Sequence, residues 1–213
     1  MAYPTVSAPY GLKPINRVDG LPYAGAIRQI PIAAGYATAI LNGATVKLSG
    51  GYLVADTSTN AATPCGVLVG CQYVNSSGQT VQGQYYPASQ STAANPAYAY
   101  VVDDPNALFR VAATTAGSTT PAAYSRDIVG SNVAMVAGAG STITGDSAYG
   151  IDGSSSNTTN TLPLRVVDVI PDTATGSASA SATTYYEFLV KFNLHQYNST
   201  TGDRKSTRLN SSH

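Results

Sequence analysis

Leu162-Pro-Leu-Arg-Val-Val-Asp-Val-Ile170 and Tyr185-Tyr-Glu-Phe-Leu-Val-Lys-Phe192 are the two stretches that decide the fold class. Both show the two-residue period of a pleated strand, whose successive side chains leave opposite faces. In the second, Tyr186, Phe188, Val190 and Phe192 share the core face, while Tyr185, Glu187, Leu189 and Lys191 look the other way. In the first, Leu162, Leu164, Val166 and Ile170 share a parity that Asp168 interrupts, with Val167 and Val169 opposing them. Working outward, short runs bounded by Gly, Pro or Asn predict further strands at 26–32, 45–48, 52–55, 66–74, 98–103, 107–113 and 132–137. Such a series implies an all-β fold, a β-barrel or β-sandwich of short antiparallel strands.

Composition agrees. The chain is 43% hydrophobic and only 10% charged, with twenty Gly, fifteen Tyr and a single Glu, Glu187. Helices lean on Glu, Lys, Arg and Leu, whereas Val, Thr and Tyr suit a half-buried pleated surface. One short helix is expected, capped by Thr120, with Pro121 in its first turn and Gly130 ending it. Residues 76–91, 138–161 and 173–184 read as Ser/Thr/Gly/Ala loops. The first 25 residues hold four prolines and no strand or helix period, which predicts an extended N-terminal arm. The expected organisation is an arm at 1–25, a single β domain at 26–197 and a disordered tail at 198–213.

Asp203 to His213 read DRKSTRLNSSH, which resembles the translation of a sequencing-library adapter over eleven consecutive codons. On that reading the gene was read off the end of a DNA fragment and the tail carries no functional information. Three of the eleven Lys+Arg and one of the eleven Asp+Glu lie in it, which leaves eight basic against ten acidic residues. Eight scattered cations build no basic stripe, so nucleic acid is not an expected partner. No apolar run approaches the roughly 18–20 residues that span a bilayer, and the start lacks a signal-peptide pattern. No membrane partner is expected, and synthesis is expected in the cytoplasm. Cys65 and Cys71, six positions apart in one predicted strand, would lie about 20 Å apart. That is too far for a disulfide, so both are expected reduced and buried on one strand face.

The chemical inventory is thin. His195 is the one histidine outside the tail, and a histidine at a strand end is expected to be a hydrogen-bonded edge residue. No nucleophile elbow, phosphate loop or zinc signature is present, and Gly138-Ala-Gly-Ser141 lacks the lysine of a phosphate cradle. Asp103-Asp104-Pro105-Asn106 offers oxygens to a hard cation, but a β-turn is the simpler reading; Asp146 and Asp152 are weighed alike. No catalytic residue, cofactor or metal site is expected.

Ala8-Pro-Tyr-Gly-Leu-Lys-Pro14, Gly20-Leu-Pro-Tyr-Ala-Gly25, Tyr98-Ala-Tyr-Val-Val-Asp-Asp-Pro105, Leu108-Phe-Arg110, Leu162-Pro-Leu-Arg165 and Phe192-Asn-Leu-His-Gln196, in this order, resemble a family of virion proteins from marine tailed phages. Lys13 stands where that family more often has Arg, and Tyr10 where it more often has Phe. The resemblance implies a non-enzymatic capsid decoration or cement protein, located in the virion after synthesis in the bacterial host. It also implies a homotrimer whose partner is the phage major capsid protein. Tyr10, Leu12, Pro14, Pro22 and Tyr23 are then expected as arm contacts, and deletion of residues 1–24 is expected to abolish capsid binding while leaving the β core folded. Alternatives are a tail, neck or fibre component and a glycan-binding β module. A hydrolase is least favoured, and the major capsid protein itself is disfavoured because its usual fold needs a long spine helix.

Overall fold

The computed structural model describes residues 9–23, 27–175 and 185–198. The fold is all-β, and the strands form two sheets that each close on themselves. The chain starts in one sheet with β1 (Lys13–Arg17). It then builds the whole of the other from β2 (Ile27–Ile32), β3 (Thr45–Ser49), β4 (Tyr52–Ala55), β5 (Gly66–Val74), β6 (Thr80–Gly83) and β7 (Ala97–Val102). It returns with β8 (Ala107–Thr114), β9 (Asn132–Val136), β10 (Gly150–Asn157), β11 (Leu164–Thr175) and β12 (Tyr185–Phe192).

The first barrel runs β3-β4-β2-β7-β5 and closes through β5–β3, with β6 added to β5 as a hairpin. The second runs β8-β10-β9-β11-β12 and closes through β12–β8, with β1 added to β8. Pairing is antiparallel except at β2–β4 and β8–β10. Because β1 and β8 are paired, the first barrel is an insertion between two neighbouring strands of the second. The single β domain expected at 26–197 is therefore two closed sheets sharing one buried cluster, and it begins before residue 26.

The deciding strands behave as their pattern requires. Phe188, Val190 and Phe192 are buried. In β11 the register against β12 shifts between Val166 and Asp168, a bulge at Val167. A bulge flips the pleat, so Leu164 and Val166 face the core before it and Val169 after it. The parity break at Asp168 is this bulge seen in sequence.

Three expectations are corrected. The arm contains β1, whose Lys13 to Arg17 ladder onto Arg110 to Ala107. Pro14 concealed it, since proline is tolerated in a strand only where its missing N–H is not needed, as at a sheet edge. The loops at 76–91 and 138–161 contain β6 and β10. The helix after Thr120 is a single 3-10 turn, Arg126–Ile128, capped by Ser125, because Pro121 bridges Thr114 and the Ala122 N–H goes to the Ala113 carbonyl.

The two barrels meet at Gly11 and Gly43, both with positive φ (84° and 79°). The Gly11 N–H donates to the Tyr149 carbonyl, Leu12 N–H to Gly43 and Gly43 N–H to Leu68, at 2.8–3.2 Å. A Cβ on Gly11 would lie 2.3 Å from Ser147 Oγ and 2.7 Å from the Gly43 carbonyl oxygen. Gly11→Ala therefore combines a left-handed backbone with a clash, and is expected to lower unfolding free energy by about 2–4 kcal/mol; an unchanged urea midpoint would show that the seam tolerates a side chain.

Candidate functional site

Three of the five residues expected to contact a partner are used inside the molecule. Leu12 is fully buried in the shared core. Pro14 is half-buried opposite Phe109 in the β1–β8 ladder. The Tyr10 hydroxyl donates to Glu187 Oε1 at 2.6 Å and accepts from Arg110 Nε at 2.9 Å, with the guanidinium 5.8 Å from the ring centroid. Arg110 also forms an ion pair with Glu187. Burial, reinforced by the Glu187 carboxylate, raises the Tyr10 phenol well above its ordinary value, so it remains a donor. These residues act as a clasp on their own chain. Glu187, expected on the outward face of β12, is only 3% exposed because the clasp covers it.

Pro22 is exposed and Tyr23 is half-buried against the core. They follow a tight turn in which Gly20 N–H donates to the Arg17 carbonyl and Arg17 N–H to the Leu21 carbonyl. Val18 and Leu21, on that turn, are 51% and 54% exposed, and Ile27, at the start of β2, is 45% exposed. Val18 and Ile27 adjoin the corner Asp103-Asp104-Pro105-Asn106, since Val18 N–H donates to the Asn106 carbonyl and Ile27 pairs with Val102, and Leu21 is tied to it through Arg17.

That corner is braced by charge. Asp104 Oδ2 meets Arg17 Nε at 2.8 Å, and Asp103 Oδ2 meets Arg28 Nε at 2.9 Å. The Tyr197 hydroxyl donates to the same Asp103 oxygen at 2.9 Å, and Arg28 lies 5.2 Å from the Tyr197 ring centroid. Asn106 N–H donates to Asp104 Oδ1, and Ala107 N–H to the Asp104 carbonyl, which makes the corner a turn. The acidic side chains weighed as cation ligands are thus engaged by arginines. Elsewhere Asp146 meets Lys13 at 2.6 Å, and Asp152 accepts from Ser154. Among the described residues no three His, Cys, Asp or Glu side chains form a cluster able to hold a metal.

Cys65 and Cys71 are free and buried. Their surroundings differ, which corrects the expectation of one strand face. Cys65 lies in the bend before β5, and a register shift between Leu68 and Gly70 separates it from Cys71, whose thiol donates to the Tyr85 carbonyl. Burial pushes the two thiols up to about 12 and about 11, so neither is a ready nucleophile.

The structural residue that sequence reasoning underrated is Gln196. Its side chain accepts from Leu48 N–H at 2.8 Å and donates to the Leu48 carbonyl at 3.0 Å, extending the β3 edge of the first barrel from the end of the second. Its neighbour His195 is 3% exposed and takes the Tyr197 N–H on Nδ1 at 3.2 Å, so the neutral ring carries its proton on Nε2. No protein-family model, curated protein or solved structure matches the chain.

Burial lowers the His195 pKa, against the smaller opposing influences of the Cys65 backbone, Asp103 and Asp104. The folded state therefore keeps the ring neutral, while the unfolded chain protonates below about pH 6.5. The stabilisation is complete above that pH and is lost as pH falls toward the lower folded value, at up to about 1.4 kcal/mol per pH unit. Urea midpoints of the wild type should fall between pH 6.5 and 5, and a His195→Gln variant should lose that part of the slope; equal slopes would sink the assignment.

Proposed function

We propose that this protein is a structural component of a phage virion, acting as a decoration protein on the head lattice. The observation that carries this reading is the braced apolar corner, where Val18, Leu21, Pro22 and Ile27 stand at the surface around paired arginines and aspartates. Exposed apolar side chains gathered at one place mark a docking face for another protein. A corner already held in one conformation loses little entropy when it is covered.

The rest of the molecule supports the same reading. The groups capable of chemistry serve structure: Glu187 and Asp103 bind arginines, and the cysteines are buried thiols. The ordered motifs that resemble virion proteins span the chain from residue 8 to residue 196. The partner on this reading is the phage major capsid protein, whose repeated lattice turns modest contacts into firm attachment through multivalency.

Deletion of residues 1–24 does not test this surface. It removes β1 from the second barrel and Leu12 from the core, so loss of binding by that variant does not separate a missing contact from a damaged fold. Surface substitutions do test it. The full chain should co-sediment with expanded empty phage heads, and a Leu21→Asp/Ile27→Asp double variant should bind at least about tenfold more weakly with its thermal midpoint little changed. Wild-type protein that ignores heads, or a variant that binds them equally well, would overturn the proposal.

A further inference from the structure

Every lysine and arginine among the described residues has an acidic partner except two, Arg165 and Lys191. These two stand directly opposite each other in the β11–β12 register. Their chain neighbours Leu164, Val166, Val190 and Phe192 are buried in the core, so alternation puts both cations on the outer face of the second barrel. Side chains directly opposite on an antiparallel pair have Cβ atoms about 5 Å apart, and like charges placed so repel each other. A chain that neutralises each of its other described cations leaves this pair uncompensated.

The arginine is also held in place. Arg165 is exposed and pairs with Asn132 in the β9–β11 register. Its Nε donates to Asn132 Oδ1 at 3.0 Å, and Asn132, only 1% exposed, donates from Nδ2 to the Thr159 carbonyl at 2.7 Å. The buried amide thus fixes one edge of the guanidinium. Its two terminal nitrogens have no partner among the described residues and remain free to donate as a fork. Leu189, two positions before Lys191 on the same face of β12, is half-buried and adds apolar surface beside the pair.

We infer that Arg165 and Lys191 form a docking site for an acidic segment of another protein, whose neighbouring carboxylates take the guanidinium fork and the ammonium together. Charge complementarity selects this occupant. Two adjacent positive charges match two carboxylates, and no third unpaired cation among the described residues continues them into the stripe that a nucleic-acid backbone requires. A small free anion would meet two exposed charges in water and be weakly held. A peptide segment covers Leu189 as it pairs with both charges. The site uses none of the corner residues and stands apart from the head-lattice reading.

The test is fluorescence anisotropy of a labelled peptide, Ser-Asp-Ser-Asp-Ser-Leu-Ser, titrated with the full chain; its aspartates and leucine share one side when extended. The wild type should bind it with an affinity that falls as salt rises, and should ignore the same peptide with asparagine in place of aspartate. Lys191→Gln should weaken binding by about fivefold. Lys191→Glu, which sets a carboxylate opposite Arg165 within the chain, should abolish binding and raise the thermal midpoint, because a repelling pair becomes an attracting one; the higher midpoint shows that the fold is intact. Leu21→Asp/Ile27→Asp should bind the peptide as the wild type does, which separates this site from head binding. A wild type that ignores the peptide, a Lys191→Glu variant that binds it undiminished, or displacement of the peptide more readily by inorganic phosphate or a single-stranded oligonucleotide than by unlabelled peptide would overturn the inference.

Discussion

The contact between the backbones of Gly11 and Gly43 is the constraint on which the rest of the molecule depends. Where the two barrels meet, the chain segments at the seam approach more closely than side chains permit. At this point Gly43 would place a Cβ 3.0 Å from Gly11 Cα. Around the contact, Leu12 enters the core, Asn42 and Ser147 exchange hydrogen bonds with the neighbouring barrel, and the Tyr149 hydroxyl donates to the Asp56 carbonyl at 3.1 Å. The insertion of one barrel between two paired strands of the other ties the seam covalently at both the 17–27 and the 102–107 crossings. Gln196 closes it a third time from beyond β12.

Charge is scarce and is used at fixed points. Lys13, Arg17, Arg28, Lys47, Arg110 and Arg126 each have an acidic partner. Exposed pairs such as Arg126–Asp168 contribute little, of order 0–1 kcal/mol. Those built on the buried carboxylates of Asp56, Asp103 and Glu187 matter in another way: removing the cation leaves a desolvated charge, which costs far more than the intact pair gains. Their effect is to fix where strands and corners sit. At the 103–106 corner, apolar Val18 and Ile27 stand beside such neutralised pairs.

The fold class was legible because alternation is a local signal, and the strands with strong alternation all appear. What escaped detection was hidden by residues chosen for contacts remote in sequence. In β10 the glycines read as loop, yet a Cβ on Gly153 would lie 2.6 Å from the Tyr124 ring and one on Gly150 would lie 2.8 Å from Thr114 Cγ2; close packing demands them. Strand β1 carries Pro14 and a register shift between Pro14 and Asn16, so neither its composition nor its parity resembles a strand. The helix punctuation at Thr120 and Pro121 misleads, because the segment follows the sheet edge first and turns only at Ser125, with Gly130 in a positive φ just beyond that turn. Closure into two barrels is a long-range pairing that no window of sequence contains.

The same distinction bears on function. The stretch Tyr10 to Pro14 builds the clasp and the seam, Asp103-Asp104-Pro105 braces the corner, and in the final motif Asn193 caps the Leu162 carbonyl while Gln196 joins the barrels. These motifs are accounted for by architecture, so what they convey is a scaffold. Gly20-Leu-Pro-Tyr-Ala-Gly25 differs, because Leu21 and Pro22 point apolar surface outward and the fold does not consume them. An apolar surface that the chain's own packing leaves uncovered, on a turn that packing holds rigid, is a cost in water unless another molecule covers it. On the proposed reading, Leu21 and Pro22 are where such a covering molecule would sit.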